Sequence, residues 1–263
     1  YQKQKTGKNS PYAYEQQLAE ISFNNSKPDN YIFSTKLSFN SLNRRRSSKQ
    51  DIFSTIDDVV FEKFGESSDK DKYISPVMDM YFSKTFNAKH ELTMNLVGTY
   101  YKSDYDYRYS ELSGGVTDFE TATNINLDKY SFIGEAVYNY NMKTAQLYVG
   151  SRYMYNNSTQ KNLPSNNRTL TNEIYSYLGI AGMLGKKFNY SVSAGVNGNI
   201  FTTIENKEYK FVYFRPQVKL GYFIDESSDL TFNYEVNTEN PAISSLTYNP
   251  YFKDANYLYV GNP

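Results

Sequence analysis

The chain has 263 residues, 28 Lys+Arg against 28 Asp+Glu, and a formal net charge of zero. With no Cys it excludes a disulfide framework and thiolate metal sites, and its single His, His90, excludes a multi-His metal site; the expected place of His90 in a turn argues against a His-based catalytic triad. Balanced charge with a pI near 6.8 excludes the basic excess of a duplex nucleic-acid binder, and an aromatic share of 17% excludes the aromatic-poor composition of disorder.

In chain order, the first predicted strands are 11–23 and 31–42. The turn-forming run Asn24-Asn25-Ser26-Lys27-Pro28-Asp29-Asn30 separates them. Asn43 to Lys72 reads as a long charged connection. It carries Arg44-Arg45-Arg46 and the acidic Asp57, Asp58, Glu62, Glu66, Asp69 and Asp71. Strand 73–86 turns through Asn87-Ala88-Lys89-His90 into strand 91–107. There Leu92, Met94, Leu96 and Gly98 alternate with Thr93, Asn95 and Thr99, with Val97 as an exception. After a connection from Arg108 to Leu127 comes strand 128–140, where Tyr130, Phe132, Gly134, Ala136, Tyr138 and Tyr140 share a face. A turn at Asn141-Met142-Lys143-Thr144 leads to strand 145–157.

Ser158 to Thr171 is another predicted connection, followed by strand 172–185 and the turn Gly185-Lys186-Lys187. Strand 188–204 has the clearest pattern. Phe188, Tyr190, Val192, Ala194, Val196, Gly198 and Ile200 fall on one face, and Asn189, Ser191, Ser193, Gly195, Asn197 and Asn199 on the other. Side chains of a strand alternate between faces, so this is one apolar and one polar wall. Strand 209–225 repeats it, with Pro216 predicting a bulge or a break in register. The turn Asp225-Glu226-Ser227-Ser228 leads to strand 229–238.

Ten long strands joined alternately by short turns and longer polar connections predict an all-β fold, an antiparallel transmembrane β-barrel of about ten up-and-down strands. Mean hydropathy is −0.68, which such a barrel tolerates because its strands place polar side chains on the inside. No run approaches the ~18 apolar residues of a membrane helix. A soluble all-β sandwich or barrel, acting as a binding module, is the competing reading.

The last stretch does not alternate. It runs from Glu239 through Pro241-Ala242-Ile243-Ser244-Ser245-Leu246 and Asn249-Pro250 to Gly261-Asn262-Pro263. In order and spacing it resembles the outer-membrane β-barrel family of Bacteroidetes TonB-dependent receptors. In that family a Pro-Ser-Ile-x-x-Leu-x-Pro stretch leads, after an aromatic-rich loop, to Gly-Asn-Pro-Asn-Leu-Lys-Pro-Glu. Pro241, Ile243, Leu246, Asn249, Pro250, Gly261, Asn262 and Pro263 carry the resemblance, with Ala242 where Ser is common. Their expected role is structural, because Pro and Gly set a loop's path. Asn25 to Tyr31 also resembles a turn near the start of such barrels.

The resemblance implies a 22-stranded barrel, of which residues 1–263 are a partial barrel domain with the plug domain and C-terminal strands absent. It implies a receptor of the bacterial outer membrane that imports an unknown small substrate. The implied partners are outer-membrane lipid and lipopolysaccharide, the TonB complex reached through the plug, and a surface lipoprotein. It implies no cofactor and no enzymatic activity. A passive porin-like or adhesion barrel is the alternative within the membrane class.

Tyr105, Tyr107, Tyr109, Tyr153 and Tyr155 lie near strand ends. They fit a ligand platform, since Tyr stacks on sugars and aromatic rings, or an interface girdle. Asp104 and Asp106 with Glu111 could offer oxygen ligands to a metal, against a solvated loop; no metal site is expected. Arg44-Arg45-Arg46 could meet phosphates or stay solvated. Glu135, Arg152, Arg215, Lys219 and Glu235 fall in the polar phase of their strands and are expected to line the lumen. His90 is expected to be an exposed turn residue.

Overall fold

The structure is a computed structural model that describes residues 2–6, 10–56, 59–162, 165–237, 251–255 and 257–260. These residues form strands and turns. The strands are β1 (Gln2–Thr6), β2 (Tyr12–Lys27), β3 (Tyr31–Ile56), β4 (Val59–Asn87), β5 (His90–Ser113), β6 (Val116–Asn141) and β7 (Ala145–Asn162). They continue with β8 (Ser165–Leu184), β9 (Phe188–Thr202), β10 (Glu208–Phe223), β11 (Asp229–Glu235), β12 (Tyr251–Asp254) and β13 (Tyr257–Tyr259). Strands β2 to β11 answer the ten expected from the sequence. They run up and down in one antiparallel sheet, each paired with the next. Strand β1 adds to the far end of β3, pairing Gln2 with Ser54, while β2 pairs with the rest of it, from Tyr12 opposite Arg46 to Lys27 opposite Tyr31. Strands β12 and β13 form a separate small hairpin. Its ring Phe252 stands edge-on to Phe119 of β6, at 5.6 Å.

The short turns sit where the sequence predicts them. The longer connections do not. Residues 43–56 and 59–72 are strand, the upper halves of β3 and β4, paired in register from Asn43 opposite Lys72 to Ile56 opposite Val59. Likewise β5 and β6 continue to a turn at Gly114-Gly115, and β7 and β8 pair up to Asn162 opposite Ser165. The physical reason is that both faces of these extensions are polar. The hydropathy alternation vanishes while the backbone ladder continues. Cross-strand ion pairs take over the pairing: Arg44 with Asp71 at 2.8 Å, Arg46 with Asp69 at 3.5 Å and Lys49 with Glu66 at 3.3 Å. Gly114 and Gly115 both take positive φ, 58° and 83°, the backbone of a tight two-residue hairpin.

The expected bulge at Pro216 is absent, because Pro216 pairs in register with Ala194. Its carbonyl accepts from Val236 just past the end of β11. A residue's carbonyl and N–H point to the same neighbour in an antiparallel ladder, so the missing donor falls where β11 has already ended.

The sheet is inside-out relative to a water-soluble protein. Val196, Leu178, Ile21 and Val212 are 53%, 66%, 74% and 77% exposed, while Asn197, Asn167 and Arg215 are 0%, 2% and 4% exposed. Cross-strand register shows why. Ile21, Leu37, Met78, Gly98 and Phe132 stand side by side on the apolar face, and Ile174, Gly198 and Val212 continue it. On this face the apolar strip of β5 runs from Leu92 to Tyr100 and that of β6 from Tyr130 to Tyr140. Such strips match the about 9–11 residues that a tilted strand needs to cross a bilayer. At the upper border the rings of Tyr100 and Tyr130 lie 4.8 Å apart, and Phe132 and Tyr153 lie 6.5 Å apart.

Candidate functional site

The polar face is built on glycines. A Cβ on Gly150 would overlap the ring of Tyr177, one on Gly179 the ring of Tyr148, and one on Gly195 the ring of Tyr175. Each glycine leaves a slot in the pleat, and a tyrosine from the neighbouring strand lies flat across it. Tyr175 and Tyr177 stack at 5.0 Å, and Tyr148 meets Tyr177 edge-on at 6.2 Å. The result is an aromatic floor on a polar wall.

Charged groups stand on this floor. Arg215 lies over the Tyr175 ring at 4.5 Å and Arg152 at 5.9 Å. Both reach Glu173, Arg152 at 3.2 Å and Arg215 at 3.9 Å. Arg215 also donates to the Val236 carbonyl at 3.3 Å, approaches Glu235 at 3.5 Å and bonds Asn237. Tyr177 donates to Glu135 at 2.9 Å. Glu135, Arg152, Arg215 and Glu235, with Tyr148, Tyr175, Tyr177, Ser193 and Gln217, line a cavity of about 380 Å³, to which Glu173 is joined through its two arginines. Burial of Arg215 and Glu173 is tolerable because each charge meets an opposite charge and hydrogen-bonding partners. Among the described residues the buried Tyr175 hydroxyl meets no hydrogen-bond partner.

Of the five charges expected to share the polar phase, Glu135, Arg152, Arg215 and Glu235 meet at this cavity, while Lys219 lies two positions along the same face of β10 and outside it. The residues that complete the site, Tyr148, Glu173, Tyr175, Tyr177 and Gln217, were missed. A signal existed: Glu173, Tyr175 and Tyr177 alternate with Ile174, Ser176 and Leu178, so they belong to the same polar phase.

The five tyrosines do not form one set. Tyr105, Tyr107 and Tyr109 share the polar face of the β5 extension, and the rings of Tyr105 and Tyr107 are parallel within 6° at 6.5 Å. Tyr153 and Tyr155 lie on the apolar face, in the aromatic row beside Phe132. Above the Tyr105–Tyr107 pair, a closed cluster tops the wall. Tyr109 donates to Glu111 at 2.9 Å, and Lys63 binds Glu111 at 3.3 Å and also Asp118. The Asp118 hydrogen bond raises the Lys63 amine above its usual range; burial opposes it, and the Glu111 contacts add to the rise. Tyr109 meets Phe119 at 6.3 Å, and Phe119 carries the β12 hairpin through Phe252.

Asp104 and Asp106 point away from Glu111, on the opposite face of β5, so the three do not converge on a cation. His90 is not a turn residue. It opens β5, hydrogen-bonds the Tyr138 hydroxyl at 2.5 Å and lies beside the Tyr138 and Tyr140 rings. Pro241, Ile243, Leu246, Asn249, Pro250, Gly261, Asn262 and Pro263 lie outside the described residues.

The fold is that of one arc of an antiparallel outer-membrane-type β-barrel. It is similar to a crystal structure of the ferric-catecholate import receptor Fiu from K12 E. coli, in its closed form, with a TM-score of 0.56 at 8% sequence identity. The match covers 86% of this chain and 49% of that one, so the chain spans about half the length of the receptor it matches. At this identity the likeness is one of fold. No family model and no curated protein sequence matches the chain.

Proposed function

We propose that the chain is part of a TonB-dependent receptor that imports a nutrient across the bacterial outer membrane. The observation that supports this reading best is the inverted sheet. An apolar, aromatic-bordered face is left exposed while Asn, Glu and Arg are buried on the other, over a height suited to a bilayer. The likeness to a receptor barrel agrees with it.

In this reading the apolar face meets lipid, and the polar wall with its Arg152–Glu173–Arg215 network faces a plug or the substrate path. The tall polar extensions of β3 to β6 stand outside the cell, with Tyr105 and Tyr107 presented inward to substrate. The edges also favour a part of a larger barrel. Among the described residues no ladder joins β11 to β2, and an unpaired edge in hydrocarbon costs several kcal/mol for each unsatisfied group, on the order of the transfer cost of a peptide group. Completion to about 22 strands by the same chain removes both edges.

The test is uptake by cells carrying the full-length gene. Substrate accumulation is expected to stop when the proton gradient is collapsed and when the upstream plug is deleted. Uptake that continues at the same rate without the gradient sinks the receptor reading and favours a passive barrel. Recovery of the folded chain from the soluble fraction without detergent sinks the membrane reading altogether.

A further inference from the structure

The Arg44-Arg45-Arg46 run is divided by the pleat. Arg44 and Arg46 point to the polar face and are paired with Asp71 and Asp69. Arg45 points to the opposite face, directly across from Lys70. Like charges opposed in a ladder repel, so this pair is unfavourable unless an anion lies between them. Lys72 is the next residue down that face of β4, and Lys102 of β5 sits diagonally below it, opposite Ile74. Arg45, Lys70, Lys72 and Lys102 are exposed, and none makes an ion pair among the described residues. Three carboxylates share the face, Asp104 opposite Lys72, Asp106 opposite Lys70 and Asp128 opposite Lys102. Asp106 is held by Asn124 and Asp128 by the Tyr100 hydroxyl, and none of the three pairs with these cations.

Immediately below is a notch in the apolar face of about 690 Å³. It opens at Gly98, where a Cβ would meet nothing within 4 Å, and its walls include Ile21, Leu37, Phe39, Met78 and Phe132. Tyr100 and Tyr130 border it on the side of the lysines. Cations above, tyrosine rings at the border and a hydrocarbon-lined notch below follow the profile of a single lipid.

We propose that this outer face is a binding site for a phosphate-bearing lipid of the surrounding leaflet, with the phosphates between Arg45, Lys70, Lys72 and Lys102 and one acyl chain in the Gly98 notch. The proposal rests on the membrane reading above but not on what is transported. Charge complementarity selects a phosphorylated lipid over a neutral one: a basic residue at a membrane surface is worth roughly fivefold in affinity for anionic lipid. The site explains why Arg45, Lys70, Lys72 and Lys102 form no ion pair among the described residues while Arg44 and Arg46 beside them do. It also explains why a glycine leaves the notch unfilled beside large apolar side chains.

The test is native mass spectrometry of the full-length protein in detergent micelles, offered equal amounts of diphosphoryl lipid A, its dephosphorylated form and phosphatidylcholine. The unaltered protein is expected to retain diphosphoryl lipid A at least tenfold over the other two, on the order of what two or more basic contacts supply. The combined R45Q/K70Q/K72Q/K102Q variant should lose that preference, G98F should weaken retention by filling the notch, and K186Q at the opposite end should change nothing. Equal retention of all three lipids by the unaltered protein overturns the proposal, as does unchanged preference in the quadruple variant. Displacement of the lipid by millimolar inorganic phosphate overturns it too, since the acyl chain would then contribute nothing. A protein that stays folded without detergent and takes up no lipid defeats both this site and the membrane reading. One that needs detergent but shows no preference defeats the site alone.

Discussion

Val196→Arg separates lipid from water on the apolar face. Val196 lies on β9, opposite Phe214 and Ser176, with Val192 and Ile200 on the same face of its strand. It is 53% exposed and packs little, so the substitution creates no cavity and forces no overlap. On the surface of a water-soluble protein such a change stays within about 0.5 kcal/mol. In a bilayer, an arginine near mid-depth of a barrel strand costs roughly 2–4 kcal/mol. At about 1.4 kcal/mol per factor of ten, the ratio of folded to unfolded protein falls between roughly thirtyfold and nearly a thousandfold. Equilibrium denaturant titration of the protein in phospholipid vesicles, followed by circular dichroism because the chain has no Trp, reads this directly. Asn233→Glu, on the polar phase of β11 and opposite Lys219, serves as the control: it also introduces a charge but should not destabilise the fold. Equal, small effects at both positions would refute the assignment of the apolar face to lipid.

Further outcomes follow from the polar wall and its tip. Gly150→Ala and Gly195→Ala should each destabilise by about 1–3 kcal/mol, because the new methyl displaces Tyr177 or Tyr175, whereas Gly98→Ala should be near neutral; unfolding titrations compare them. Arg215→Ala should cost about 3–5 kcal/mol by leaving Glu173 and Glu235 short of a buried partner, and a double-mutant cycle with Glu173→Gln should show coupling of at least ~0.5 kcal/mol. Tyr105→Ala with Tyr107→Ala should lower substrate uptake without loss of folded protein, while Tyr153→Ala with Tyr155→Ala should lower stability and leave substrate affinity alone; uptake and unfolding assays on both pairs decide this. The Lys63 amine is raised in the folded state, chiefly by Asp118, so its contribution is fully present below its unfolded value of 10.5 and is lost as pH rises through the higher folded value. Protease cleavage near the β12 hairpin should therefore stay constant through neutral pH and increase only above pH 10.5.

The sequence alone carried the ten up-and-down strands β2 to β11, their order and the apolar face, but not β1. These depend on a period-two pattern that any strand with one oily and one wet side must show, as Phe188 to Ile200 does. It also placed the short turns, where Asp29 and Gly185 adopt positive φ among other turn-forming residues. It could not show that residues 43–56 and 59–72 are strand. Once both faces meet water, hydropathy no longer records the pleat, although Ser113-Gly114-Gly115-Val116 offered a hairpin signal.

Tertiary structure decided the rest, because register is a relation between distant residues. Only pairing shows that Glu173 lies between Arg152 and Arg215, and that Tyr175 and Tyr177 rest on Gly195 and Gly150. Only pairing divides five similar tyrosines between two faces, and a run of three arginines into two paired residues and one outward cation. A strand's own sequence gives its alternation. Which neighbour stands across each position is set by the adjacent strand, and a shift of one residue would send every side chain to the other face.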